Sequence, residues 1–260
     1  MNKQKLLWLG WAILFSVQCT FSQKVVFLHH STGNNVFMEG NVQAEIAAIN
    51  KTTGKSLVVT EKGFPDDPWP WSNYPYDYWK LWIDGSCKPD NPRIACMKSL
   101  VAAYDLIILK HCFPGADIMP DKGKPDVGSE EKTLENYKEQ YRALRTLFDT
   151  YPATKFMVWT LAPLHRLSTT PEAAGRAHEF VEWVKHEWLS EDGKPHTNIL
   201  IFDFFGQVAE TGDSPVNGVR YCLRYEYERD HNDPDSHPNT VANLMAGPLF
   251  ARAITGVFNE

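Results

Sequence analysis

The chemistry this sequence can offer gathers at two places far apart along the chain. The run Val25-Val26-Phe27-Leu28-His29-His30-Ser31-Thr32-Gly33-Asn34-Asn35 carries an apolar, strand-like stretch into a serine, with a glycine two positions later. A hydroxyl on a strand-to-helix turn is held exposed at the edge of a rigid sheet, beside backbone N–H groups that can stabilise an oxyanion. Near the other end stands Asp233-Pro234-Asp235-Ser236-His237-Pro238-Asn239, with Pro238 suited to the first turn of a final helix. A serine early and an Asp/His pair late, brought to one rim, form a hydrolase arrangement in which the histidine takes the serine's proton and then protonates the leaving group. Each residue alone has a bland role open to it, a helix cap for Ser31 and a carbonyl-bound helix start for His237. Their combination carries the reading.

Two further groupings invite chemistry. His29, His30, His111 and His237 could meet at one rim and bind a metal, since imidazole is a common ligand. Adjacent residues of a strand face opposite ways, so His29 and His30 are expected not to chelate together, one packing inward and the other supporting the site. From Phe64 to Trp82 the chain is rich in proline and aromatic residues, with Trp69 and Trp71 foremost as candidate substrate contacts. Flat amphipathic rings on a stiff loop suit a sugar ring or an acyl group, and they also supply the small core that such a loop needs for itself.

The elements that must position these residues follow from the apolar runs. Lys24 to His30, Ser56 to Thr60, Leu106 to Lys110, Lys155 to Thr160 and Asn198 to Phe202 are short and nearly continuous, as strands are when both faces are covered. Val42 to Asn50, Arg93 to Ala103, Glu130 to Thr150 and Pro171 to Trp188 read as helices, and a last one runs from near Pro238 towards Phe258, kinked or split at Pro248. Strands alternating with helices predict an α/β fold: a five-stranded parallel sheet between two helical layers, with the site at the carboxyl ends of the strands. Segments 63–85, 113–128 and 212–236 read as irregular and could wall that site.

Ser31 after the first strand and His-Pro-Asn at the last helix resemble the first and last sequence blocks of the SGNH (GDSL-like) hydrolase superfamily, and the order of elements fits along residues 23 to 260. The resemblance implies a three-layer α/β/α domain of flavodoxin-like type and a serine esterase or acylhydrolase with Ser31 as nucleophile and His237 as base. It implies no metal or organic cofactor. The usual Gly-Asp-Ser is here His29-His30-Ser31. The usual acid three residues before the histidine is Pro234, which leaves Asp235, favoured, and Asp233 as the orienting carboxylate. The family's oxyanion hole joins the serine N–H to a glycine after the second strand, matched by Gly63, and to an asparagine after the third. Here that stretch reads Lys110-His111-Cys112-Phe113, offering His111 or Lys110 as a substitute. The lost asparagine opens a second reading, a non-catalytic module that binds glycan through the aromatic loop.

The remaining features bound the setting. Lys3 and Lys5, the apolar stretch Leu6 to Val17 and the small residues up to Ser22 read as a secretory signal cleaved after Ser22, giving a secreted or periplasmic protein and a single domain over 23–260. Lipidation of Cys19 is the alternative, disfavoured by the bulk of Gln18. Later segments fall short of the roughly 20 apolar residues a membrane span needs. A net charge of −6 and the lack of a basic run argue against nucleic-acid binding. In an oxidising compartment Cys87 and Cys96 are spaced to close a loop, whereas Cys112 reads as a core residue with Cys222 as an optional partner. The expected partner is a small-molecule or glycan ester, met by a monomer.

Overall fold

The computed structural model describes residues 22–66, 72–87, 95–216 and 218–259. The leader apart from Ser22, Cys19, Trp69 and Trp71 therefore lie outside the described residues. In chain order the elements are β1 (Gln23–His29), α1 (Ser31–Glu39), α2 (Val42–Thr53), β2 (Leu57–Gly63), α3 (Pro75–Trp82), α4 (Met97–Ala103), β3 (Leu106–Leu109), α5 (Leu134–Asp149), β4 (Lys155–Trp159), α6 (Pro171–His186), β5 (Ile199–Phe202), α7 (Phe204–Val208) and α8 (Thr240–Gly256). The five strands form one all-parallel sheet in the order β2-β1-β3-β4-β5. This is the α/β fold expected, with flavodoxin-like strand order.

Period-two alternation sorts the strand residues into two cores. Val26, Leu28, Ile107, Leu109, Phe156 and Val158 face α3, α4, α5 and α6. Val25, Phe27, Leu106, Ile108, Met157 and Trp159 face α1, α2, α7 and α8. The apolar runs are continuous because both faces are covered. On the second face Trp159 and Phe27 stack at 5.1 Å, and Phe250 of α8 packs on both.

Several sequence-based boundaries shift, each for a visible reason. Within 63–85, read as irregular, α3 forms because Pro75 opens its first turn and the Asp77 carboxylate accepts the N–H groups of Ser72 and Tyr74. Residues 31–39 form a helix of their own, parted from α2 by Gly40 and by Asn41 in the left-handed region at φ 54°. Helix α5 starts only after Thr133, so Glu130 and Glu131 precede it, and Glu130 accepts the Tyr76 hydroxyl instead. Among the described residues α4 begins at Met97 and α6 ends at His186. Pro238 lies outside α8, whose cap is Asn239, and the helix continues through Pro248 without splitting. Cys87 and Cys96 form the expected disulfide, with Cα atoms 5.6 Å apart. Cys112 and Cys222 are buried thiols, not a pair.

The end of α1 meets α8 backbone to backbone. A Cβ on Gly247 would stand 2.1 Å from the Gly40 carbonyl oxygen, and one on Gly40 would stand 2.5 Å from the Asn243 oxygen. Side chains cannot yield there, so one helix must move. Gly247→Ala is expected to destabilise the fold by roughly 3 kcal/mol through overpacking, read as a lowered urea midpoint at unchanged slope.

Candidate active site

Strand order reverses between β1 and β3, and the crevice beyond the carboxyl ends of these two strands is where such sheets bind ligands. Ser31 follows β1 there, and Cys112 follows β3. Ser31 is the first residue of α1, and the first helical bond of that turn runs from Asn34 N to His30 O. The N–H groups of Ser31, Thr32 and Gly33 are thus left over at the positive end of the helix. Gly33 lets this turn sit on the strand: a Cβ there would be 2.4 Å from the His29 Cβ.

Ser31 Oγ lies 2.6 Å from His237 Nε2, and His237 Nδ1 lies 2.5 Å from Asp235 Oδ1. The carboxylate places the ring proton on Nδ1, leaving the Nε2 lone pair to accept from the serine hydroxyl. The same oxygen accepts the His237 backbone N–H at 3.1 Å, while Asp233 accepts the N–H of Asp235 at 2.9 Å. The sequence left two carboxylates open. The structure puts Asp235 on the imidazole and Asp233 behind it as a turn former. Burial pushes the Asp235 pKa up, but the bonds from His237 outweigh it and hold the carboxyl below its ordinary range. Phe113 meets the imidazole edge-on at 4.9 Å.

The segment carrying the Asp/His pair is pinned from the loop after β4. His165 N donates to Ser236 Oγ, Ser168 Oγ to the Pro234 carbonyl and Arg166 to the His231 carbonyl. Glu228, fully enclosed, takes His165, Arg166 and His231 around one carboxylate. Asn239 caps α8 with its oxygen and donates through Nδ2 to the carbonyls of Glu226 and Glu228. Sequence reasoning missed this clamp, because its members are scattered polar residues with no period or motif.

The expected oxyanion donors fare differently. Gly63 stands level with His29 in the ladder, one strand across from the serine, with open space around its Cα. His111 turns to the opposite face, where Nε2 is 2.9 Å from the Tyr141 hydroxyl and the ring meets Tyr78 edge-on. Alternation explains the correction: Cys112, not His111, shares the serine's side, with Sγ 3.8 Å from Ser31 Oγ. Lys110 is fully buried and its ammonium donates to the His111 carbonyl, so it presents no hydrogen bond at the surface. Asn73 was also missed; buried at φ 53°, it accepts the Cys112 N–H on its carbonyl oxygen.

The histidines do not converge on a metal. His29 faces Glu61 at 2.7 Å, and His30 Nε2 faces the Pro65 carbonyl at 2.8 Å. Among the described residues no group of three or more His, Cys, Asp or Glu side chains could hold an ion. No helix of these residues is long and apolar enough to cross a membrane.

No family model and no curated protein matches the chain. Among solved structures it is similar to a protein from Streptococcus pneumonia described by the name platelet activating factor, at 11% identity and a TM-score of 0.45, over 92% of this chain and 86% of that one. It is also similar to a carbohydrate esterase described as having divergent catalytic and non-catalytic binding functions, at 11% identity and a TM-score of 0.39, over 90% of this chain and 65% of the other.

Burial drives the His111 pKa down to about 3, with the Lys110 charge adding to the effect. The neutral ring is favoured in the folded state, whereas the unfolded chain takes up the proton below pH 6.5. Unfolding free energy should therefore fall as pH drops from about 6.5 towards 3, this group alone contributing roughly 1.4 kcal/mol per pH unit. Urea titrations of His111→Gln should lack that component of the slope.

Proposed function

We propose that this protein is a secreted serine esterase or acylhydrolase of the SGNH type, folded as one domain over residues 23–260. The observation that carries the reading is the unbroken relay from Asp235 through His237 to Ser31 Oγ at the carboxyl edge of a parallel sheet. His237 takes the serine proton as the hydroxyl attacks the ester carbonyl, and returns it to the departing alcohol. Water, activated by the same ring, then releases the acid and restores the serine. Asp235 fixes the tautomer and balances the imidazolium. The leftover N–H groups of the first α1 turn face the developing oxyanion. Gly63 is the donor expected from the second strand.

The substrate assigned is a small or carbohydrate ester. Its support is the aromatic composition of residues 64–82, with Trp69 and Trp71 as proposed contacts. The inward turn of both His111 and Lys110 favours the competing reading, a domain that binds glycan without turnover.

Purified residues 23–260 should hydrolyse short-chain aryl esters and acetylated sugars, unaffected by chelators. Ser31→Ala and His237→Ala should each lower kcat by roughly 10⁴-fold or more, and Asp235→Asn by a similar order through the wrong tautomer. Turnover that survives Ser31→Ala would sink the proposal, and glycan affinity without any turnover would select the binding module.

A further inference from the structure

Lys110 is a buried cation that the relay does not use. Its side chain is fully enclosed, its ammonium makes one hydrogen bond, to the His111 carbonyl, and among the described residues no carboxylate lies within ion-pair distance. A methionine or leucine would fill that volume without the cost of desolvating a charge. Titratable groups perturbed by burial cluster at functional sites.

The direction of the field follows from the sheet. Leu106 and Ile108 face α1 and α8, so Lys110 continues that face and Cys112 follows it to within 3.8 Å of Ser31 Oγ. The charge is felt by His29 and His30 at the end of β1, the residues directly before the serine, by the neighbouring His111 on the opposite face, and by Cys112. Glu61 in turn faces His29, and the Tyr78 hydroxyl bonds the Lys110 carbonyl. Alternation thus places Lys110 in the sheet layer of α1, at a strand end beside the residues that lead into Ser31.

We infer that Lys110 is the electrostatic floor of the oxyanion site, a charge that stabilises the developing oxyanion through the protein rather than by touching it, in place of a neutral surface donor. This inference rests on the reading of Ser31 as nucleophile. Burial lowers the Lys110 pKa to about 8, with Cys112 pulling the other way. The contribution is therefore present at neutral pH and fades as the ammonium deprotonates above about 8.

A fluorophosphonate probe tests this, because its phosphonyl oxygen develops charge where an ester oxyanion would. Labelling of Ser31 in the wild-type chain should fall off above pH 8. Lys110→Met should label roughly 10- to 100-fold more slowly at pH 7 and lose the alkaline fall, while melting at a temperature no lower than the wild type. A merely structural lysine would leave the pH profile unmoved. Equal labelling of both proteins, or an alkaline fall that persists in Lys110→Met, overturns the inference and leaves the esterase reading intact. A wild-type chain that neither labels nor hydrolyses esters overturns both. Should Lys110→Met not fold, Lys110→Gln takes its place in the same comparison.

Discussion

The proposed chemistry depends on one hydrogen bond, between Ser31 and His237, whose partners are 206 residues apart in the chain. A contact of that separation cannot be held by local structure, and the entropy of closing such a loop has to be met by packing elsewhere. The serine side is fixed by the β1 ladder, by Gly33 seated on His29 and by the start of α1. The histidine side is fixed by α8, which locks to α1 through Gly40 and Gly247, and by the polar clamp around Glu228. The two helices also share a core, Val36 and Phe37 of α1 packing in one layer with Ala246 and Phe250 of α8, and directional bonds hold the irregular stretch 228–239 that leads into α8.

The second organising constraint is alternation at the end of β3. Three consecutive polar or sulfur residues leave a fully buried strand, and the pleat sends them to different layers. His111 joins the tyrosine-rich core of α3 and α5, where it is held neutral. Lys110 and Cys112 go to the layer of α1 and α8, the Cys112 sulfur beside the serine. One register thus sends His111 to one core and its two neighbours to the other.

Much of the architecture was legible in the sequence, because a parallel sheet covered on both faces writes itself as short continuous apolar runs. Those runs located all five strands to within a few residues. The Ser31 and His237 blocks were legible for a similar reason, since each directly follows or precedes a regular element. What escaped was non-periodic. Helix α3 was hidden by its aromatic and proline content, although Pro75 and Asp77 mark its start. The choice between Asp235 and Asp233 depended on a two-residue turn that no pattern encodes. The facing of His111 required knowing where β3 stops and that the extended chain continues beyond it. The clamp on Glu228 joins segments distant in sequence through single polar contacts.

The position of α8 has a consequence in time. The rings of Phe27 and Trp159 are covered by Phe250, and the imidazole bonded to Ser31 stands three residues before the same helix. A chain still being synthesised holds Ser31 from the first strand onward but has neither the histidine partner nor the cover for that aromatic face until its final stretch arrives. The serine is then an unactivated alcohol beside an uncovered apolar surface. The same C-terminal stretch thus supplies both the cover of that core and the imidazole bonded to Ser31.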